Sequence, residues 1–361
     1  MPTYTGISSE AFRHPLDRQA EQTLRSVPGF DLVARTFVEF LSERPQFVYQ
    51  MGNSIQVGPR QYSNIYQIFR ECVRDLDMHP EPVLFISQDP FVNALALGQE
   101  FPSMVLNSGL LDLLDDHELR TVIAHELGHI KCGHTTLVRM ALWVNQIISG
   151  LAERTFGLSN LVTTGLLLAF AEWKRKAELS ADRAALLVAD DLSPVLHSMM
   201  KIAGGSSKHA HEISLDEFIR QSERYQELDQ DGLNQVYKFF LYNNLSTGIF
   251  LTHPFTVERV HFLREWSVSD DYRQIRQGNY PRAGAEGSVE VPSATAASPS
   301  QTSRAEVDEL RCQIEELQRE IDRAKRSDLL AFIAVTTEFR TLESKGAWRC
   351  YPQPCYGNVY W

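Results

Sequence analysis

Cysteine is scarce in this 361-residue chain, and the few cysteines are scattered along it. An odd number of widely separated thiols in a long chain does not form the disulfide framework that is typical of small secreted domains. We therefore expect reduced thiols and a reducing compartment. The five cysteines are Cys72, Cys132, Cys312, Cys350 and Cys355.

Positive charge is also in short supply, because 35 Lys and Arg residues face 46 Asp and Glu residues and leave a formal net charge of -11. A chain without an extended basic patch has no electrostatic footprint for a phosphate backbone. This excludes nucleic acid as an expected partner. The composition, 43% hydrophobic and 22% charged, is typical of a soluble globular protein.

No uninterrupted apolar run is long enough to cross a bilayer. The most apolar region, residues 136–172, is interrupted by Arg139 and Asn145, and its longest unbroken run, Leu161–Ala171, has 11 residues. A spanning helix needs about 20. We predict buried helices or a hairpin that lies on a membrane surface, so peripheral membrane contact stays open. The first 24 residues lack the apolar core of a signal peptide. We therefore predict a cytoplasmic protein, which would be membrane-associated if residues 136–172 form a hairpin on a membrane surface.

The patterns that are present predict an α+β fold that is mainly helical. Residues 15–45 and 61–78 place apolar residues at helical spacing, and Pro45 is expected to stop the first helix. Residues 83–111 instead contain the short strand-like runs VLFIS, NALALG and SMVLNSGLL. They predict a small sheet, whose edge strand either pairs with an extended peptide or serves only in sheet packing.

The pentapeptide HELGH at residues 125–129 carries the strongest functional signal. His125 and His129 are four residues apart on a predicted amphipathic helix, so both imidazoles reach the same side and can bind one ion. Glu126 beside them can hold a water molecule that the ion polarises. This arrangement is typical of a zinc hydrolase.

A catalytic zinc site of this type needs a third protein ligand. The metzincin spacing is excluded, because it requires glycine and histidine where this chain has Cys132 and Thr135. The other solution takes a glutamate from a second helix, with an aspartate one turn later that orients a ligand histidine. Glu178 and Asp182 have this spacing, and small neighbouring residues allow close helix packing. A solvated charged helix face would give the same pattern.

Three segments, in the same order, resemble the gluzincin endopeptidase family that includes HtpX and the CAAX prenyl proteases. The resemblance covers roughly residues 80–265 and implies a zincin metalloprotease core in which helices surround a small sheet. Three ordered motifs are far more specific than one. The segments are SGLLDLLDDHELRTVIAHELGHIKCGH at 108–134, RKAELSADRAAL at 175–186 and THPFTVERV at 252–260.

The resemblance also implies roles for individual residues. His125, His129 and Glu178 would bind one Zn²⁺ per chain, and Glu126 would be the general base. Asp182 would orient a ligand histidine. The substrate backbone would lie along the sheet edge at Asn93, Ala94, Leu95 and Ala96.

The third segment departs from the family pattern at Phe255, where a second proline is common. His253 in this segment is expected over the metal, where it either stabilises the oxyanion or occupies the open position in a latent form. A helix-start residue that bonds only to backbone is the alternative. Arg259 is expected to anchor the segment on a carboxylate, and His134 and the remaining histidines receive no metal role. The membrane-embedded relatives have spans that this sequence lacks, so it resembles the soluble members.

A short coiled coil is predicted near the C-terminus, because apolar residues from Val307 to Ala324 alternate at spacings of three and four. It favours a parallel homodimer, and a helix folded back on its own subunit is the alternative. The predicted segments are an N-terminal helical segment packed on the core (1–79), the zinc metalloprotease domain (80–278), a flexible linker (279–303), the coiled-coil helix (304–327) and an apolar, aromatic tail (328–361).

The predicted function is hydrolysis of internal peptide bonds in protein or peptide substrates by a zinc metalloendopeptidase, in proteolytic quality control. An exopeptidase would need a group that recognises a free terminus, and no motif for one stands out. The alternative from another class is a latent or non-catalytic zinc-bound scaffold protein that acts through its coiled coil.

Overall fold

The structure, a computed structural model, describes residues 2–40, 43–151, 159–244, 249–250 and 253–283. These residues belong to one compact unit. The predicted coiled coil and tail, and all but the beginning of the predicted linker, lie outside the described residues. The expected homodimer therefore stays a prediction.

Helices dominate the described residues, in agreement with the predicted mainly helical α+β fold. Two short 3-10 helices, Ser9–Ala11 and Ser207–Glu212, accompany them. The α-helices are α1 (Pro15–Ser26), α2 (Phe30–Phe40), α3 (Arg44–Asn53), α4 (Ser63–Asp75), α5 (Ser108–Leu113), α6 (Asp116–Lys131), α7 (His134–Leu151), α8 (Ser159–Ala189), α9 (Leu192–Gly204), α10 (Leu215–Asp229), α11 (Gly232–Tyr242), α12 (Thr256–Ser267) and α13 (Asp270–Arg276).

The predicted small sheet is present and has four strands in the order β1-β2-β4-β3. β2 and β4 are parallel, whereas β1 and β3 pair antiparallel with their neighbours, so β3 is an edge strand. A second sheet has two short antiparallel strands. The strands are β1 (Ile55–Gln56), β2 (Val83–Ser87), β3 (Ala94–Leu97), β4 (Ser103–Asn107), β5 (Asn243–Asn244) and β6 (Ile249–Phe250).

Two boundary predictions were wrong. Pro45 does not stop a helix but lies in the first turn of α3, because the fixed φ of proline suits that position and its missing N–H is not needed there. The run SMVLNSGLL is a strand only as far as Asn107, and its last part forms α5. A short apolar run does not by itself distinguish a strand from a buried helical turn.

The central helices α6 and α8 pack against each other more closely than side chains usually permit. A Cβ atom on Gly128 would come within 2.7 Å of the Ala184 Cβ and 3.1 Å of the Ala181 Cα. Glycine on α6 and alanines on α8 thus bring the two backbones together. This contact places the faces of HELGH and of the Glu178 segment opposite each other.

The apolar stretch 136–172 falls on α7 and the first half of α8. Its described side chains join a second apolar cluster with α1 and α2, and Phe170 and Trp173 are almost completely buried there. This packing agrees with buried helices, and contact with a membrane stays a prediction. Among the described residues, no helix combines the length and apolarity that crossing a bilayer requires.

Candidate metal centre

Helix α6 begins with a capping box that fixes its first turn. The Asp115 carboxylate accepts hydrogen bonds from the backbone N–H groups of His117 and Glu118, and the Glu118 carboxylate accepts one from the Asp115 N–H, all at 2.9 Å. Lys201 on α9 pairs with Glu118 at 2.7 Å. The helix that carries HELGH is therefore held both at its start and by its neighbour.

Glu178 and Asp182 lie on the face of α8 that meets α6. Each is only 2% exposed, so the two carboxylates do not form a solvated helix face. Two carboxylates buried one turn apart require compensating cations or hydrogen-bond donors. The side chains that face them identify those partners.

The three predicted ligand residues converge between α6 and α8. The Nε2 atoms of His125 and His129 are 3.2 Å apart, and Glu178 places one oxygen 3.2 Å from the first and the other oxygen 3.6 Å from the second. Ligand atoms arranged tetrahedrally around zinc, at 2.0–2.1 Å from it, would be about 3.3 Å from one another. The described residues therefore contain a set that can hold one metal ion.

Asp182 holds His125 from the side opposite this convergence. Its Oδ1 lies 3.0 Å from His125 Nδ1, and Arg259 binds both of its oxygens, at 2.6 and 2.9 Å. An ionised carboxylate only accepts hydrogen bonds, so His125 carries a proton on Nδ1 and turns Nε2 towards the convergence. Burial raises the pKa of Asp182, but Arg259 outweighs burial and keeps the pKa below its ordinary value.

The site is electrostatically prepared for a cation. Burial alone lowers the pKa of His125, but the adjacent carboxylates of Asp182 and Glu178 raise it to about 9. Glu178 Oε2 is enclosed and lacks a hydrogen-bond partner among the described residues. An enclosed carboxylate oxygen without a donor is unfavourable, and a cation between the three side chains removes that cost. Two imidazoles and a carboxylate are donors that suit a divalent zinc ion.

Glu126 lines one cavity together with His125, Glu178 and Ala94 of β3. The cavity has a volume of about 270 Å³, and Glu126 is 8% exposed. Thr121 and Ser198 are joined by a hydrogen bond of 2.9 Å at its wall. The apolar wall of the cavity consists mainly of Leu110, Val122, Val195, Met199 and Ile202.

Strand β3 and Asn93, which directly precedes it, place the predicted substrate-contacting residues at the sheet edge with alternating orientation. Asn93 and Ala94 line the cavity. Ala94 and Ala96 pack against the core, whereas Asn93 and Leu95 are exposed. On its outer side β3 has no strand neighbour within the described residues, so the backbone groups on that side face away from the sheet.

The turn after β3 is fixed from two directions. The Glu43 carboxylate accepts hydrogen bonds of 2.8–3.1 Å from the backbone N–H groups of residues 99–101 and pairs with Arg139 on α7 at 2.8 Å. The Gln99 side chain donates to the carbonyl of Ile130, near the end of α6, at 2.9 Å. The sheet edge and the helix that carries HELGH are therefore tied together.

His253 also approaches the convergence, at the Glu178 oxygen that faces His129. Its Nε2 atom is 3.5 Å from Glu178 Oε1, and its side chain is 55% exposed. The segment is held by Phe255, which stacks on Tyr242 at 4.7 Å between ring centroids and donates its backbone N–H to the Tyr242 hydroxyl at 2.8 Å. The aromatic residue at this position thus has its own anchor.

Two residues that the sequence patterns missed complete the surroundings. His134 lies behind His129, with their Nδ1 atoms 2.9 Å apart, and Asp17 on α1 lies 3.1 Å from the other ring nitrogen of His134. Both are almost fully buried. Asp17 is 117 residues away from His134 in the chain, and no motif spacing connects them.

The amino-acid sequence is similar to those of known proteins. The profile of peptidase family M48 matches residues 59–267. The plastoglobule-localized metallopeptidase 48 of Arabidopsis thaliana, a chloroplastic protein, is 31% identical over 274 residues, which cover 75% of this chain and 76% of that protein.

Bacterial and archaeal relatives are more distant. A protease HtpX homolog of Helicobacter pylori is 26% identical over 60% of this chain and 71% of its own length. Protease HtpX homolog 1 of Sulfolobus acidocaldarius is 29% identical over 60% of this chain and 80% of its own length. No solved structure matches the chain.

Proposed function

The chain belongs to peptidase family M48 and is a metalloprotease, and from this premise we propose that it is a zinc-dependent endopeptidase that cleaves internal peptide bonds of unfolded proteins. The observation that carries the proposal is the convergence of His125, His129 and Glu178, with His125 and Glu178 lining the same cavity as Glu126 next to an edge strand. In this proposal the three convergent side chains bind one Zn²⁺ per chain.

Glu126 acts as the general base. Zinc in this position supplies Lewis acidity, which acidifies water and polarises a carbonyl oxygen. Glu126 takes the proton of the attacking water and delivers it to the nitrogen of the leaving amine. Asp182, itself held by Arg259, keeps His125 in the tautomer whose Nε2 is free to bind the metal.

The sheet edge and the cavity wall favour an extended, apolar substrate segment. Strand addition at β3 requires a peptide in extended conformation, which folded proteins seldom present. The residues proposed to contact it are Asn93, Ala94, Leu95 and Ala96. The apolar wall, which includes Val122 and Met199, favours an apolar side chain near the scissile bond. Cleavage of unfolded chains is a proteolytic quality-control activity.

We expect a chelator to abolish, and added zinc to restore, hydrolysis of an unfolded substrate such as reduced, alkylated casein. Mass spectrometry of the products should place the cuts inside the chain, next to apolar residues. Other divalent ions added to the chelated protein serve as controls. Restoration by magnesium or calcium but not by zinc would contradict the proposed metal, and release of single terminal residues would contradict internal cleavage.

A second candidate is a latent form in which His253 occupies the open metal position. It is favoured by the 3.5 Å between His253 and Glu178, which is close to the spacing of the other convergent atoms. A protein that stays latent would act as a zinc-bound scaffold, through the coiled coil predicted for residues 304–327. The alternative role for His253 is stabilisation of the oxyanion.

If the latent form is correct, the substitution His253→Ala is expected to raise the rate of casein hydrolysis. His261→Ala on α12 is a matched control, because His261 belongs to the neighbouring helix and is not among the residues that line the cavity. A fall of about 10²-fold or more assigns His253 to the oxyanion instead. A measurable rate that does not change contradicts both roles, whereas no hydrolysis by either protein supports the scaffold.

A further inference from the structure

The side of His129 that faces away from the convergence is held by a buried chain of polar groups. His129 Nδ1 lies 2.9 Å from His134 Nδ1, and His134 Nε2 lies 3.1 Å from Asp17 Oδ2. His134 is 1% exposed and Asp17 is fully buried. Water therefore does not mediate between these groups, and each polar atom depends on the next one for a partner.

Asp17 sets the direction of the hydrogen bonds in this chain. Its carboxylate accepts a hydrogen bond from the Ser180 hydroxyl at 2.7 Å and one from Arg13 Nε at 3.0 Å. Burial raises the pKa of Asp17, but His134 and Arg13 outweigh burial and hold the pKa well below its ordinary value. Asp17 is therefore an ionised acceptor, and His134 Nε2 must donate to it.

The hydrogen bond to Asp17 is linked to the hydrogen bond between His134 and His129, because both use the ring of His134. His134 Nε2 donates to Asp17, and His134 Nδ1 lies 2.9 Å from His129 Nδ1, so one of these two Nδ1 atoms donates and the other accepts. A metal ion on His129 Nε2 requires the proton of that ring to be on Nδ1. His134 Nδ1 then accepts the Nδ1–H of His129. This hydrogen bond leaves His129 Nε2 without a proton, and Nε2 is the atom that turns towards Glu178.

We propose that His134 and Asp17 are positioning residues for His129: they fix the ring and the tautomer in which its Nε2 binds the metal ion. The inference rests on the proposed metal site and extends it to α1. His125 has a direct carboxylate partner in Asp182, whereas His129 reaches its carboxylate through a second imidazole. Asp17 lies outside the 59–267 region that the family profile matches.

Two substitutions of His134 separate hydrogen bonding from packing. The ring of His134 packs edge-on against Trp173, with centroids 5.7 Å apart. His134→Phe keeps this aromatic contact but removes the acceptor for His129. His134→Asn places its Oδ1 near the former Nδ1 position and keeps an acceptor there. If His134 acts as proposed, the asparagine variant retains what the phenylalanine variant loses.

The experiment measures zinc affinity of the full chain by competition with a chromophoric chelator, together with the rate of zinc release. His134→Phe is expected to weaken zinc binding by about 10–100-fold, the usual effect of removing a partner of a metal ligand. His134→Asn should restore most of the affinity, and Asp17→Asn should weaken binding in the same direction as His134→Phe. Thermal unfolding of the zinc-free proteins reports any loss of folding separately.

The outcomes also distinguish this inference from the proposed metal site. His129→Ala is the reference variant, because it removes a proposed ligand outright. If His129→Ala loses zinc while His134→Phe binds it as tightly as the wild type, only the role of His134 is overturned. Equal affinities of the two His134 variants would also overturn it. If His129→Ala retains full affinity, the proposed site itself is wrong.

Discussion

The substitution Glu126→Gln is expected to abolish peptide-bond hydrolysis while the protein retains its metal. Glutamine has nearly the same size and can still form hydrogen bonds, but it cannot take a proton from water. Loss of a positioned general base typically lowers rates by about 10²–10⁴-fold. The measurement is the initial rate of casein hydrolysis, with the zinc content of the same preparation determined by elemental analysis.

A matched control for this variant is Glu265→Gln on α12. Glu265 is an exposed carboxylate whose partner at 3.5 Å is the neighbouring His261, and it does not line the cavity. We expect no change in its rate or metal content. Hydrolysis by Glu126→Gln at the wild-type rate would show that Glu126 is not the base, and loss of metal in that variant would show that it acts on the site in another way.

Glu178→Gln is expected to cost the protein both its metal and its activity. Glu178 is the only carboxylate among the three convergent residues, and the described structure encloses it almost completely. An amide in its place keeps the volume but removes the negative charge that attracts a divalent cation. Zinc content after gel filtration should fall from about one ion per chain towards zero.

Two further variants on α8 provide metal contents with which that of Glu178→Gln can be compared. Glu172→Gln changes an exposed carboxylate on the same helix and should keep full metal content. Asp182→Asn removes a partner of His125 and should weaken binding by a smaller amount, about 10–100-fold. Full zinc content in Glu178→Gln would contradict the proposed ligand set, and another carboxylate would then have to be sought around the cavity.

The sequence predicts those parts of the site that depend on spacing within one helix. A separation of four residues places His125 with His129, and Glu178 with Asp182, on a common face. The small residues around Glu178, among them Ala184, similarly predict a close helix contact, and in the structure Ala184 meets Gly128 of α6. The prediction of a small sheet is also confirmed, because short strand-like runs between turns are a local pattern that the sequence shows directly.

No local sequence pattern predicts the contacts between segments that are distant in the chain. His134 is one position away from the metzincin spacing for a direct metal ligand, and nothing in the neighbouring sequence indicates that it lies behind His129. Asp17 looks like an ordinary residue in the first turn of an amphipathic helix. Asp17 meets His134, 117 residues away in the chain, because of how α1 packs on α8. This packing is a property of the tertiary structure, which helical or strand periodicity does not reveal.

The attachments of the chain's first 58 residues change what counts as the catalytic unit. A fragment covering only the family match would contain HELGH, Glu178 and Arg259, yet it would lack Asp17 behind the metal centre and Glu43 beneath the turn after β3. Residues 281–283 are likewise bonded to residues 6–8. If the chemistry takes place at the motifs, as proposed, both ends of the described chain form the frame around it, and we expect substitutions in those ends to alter catalysis without touching a motif.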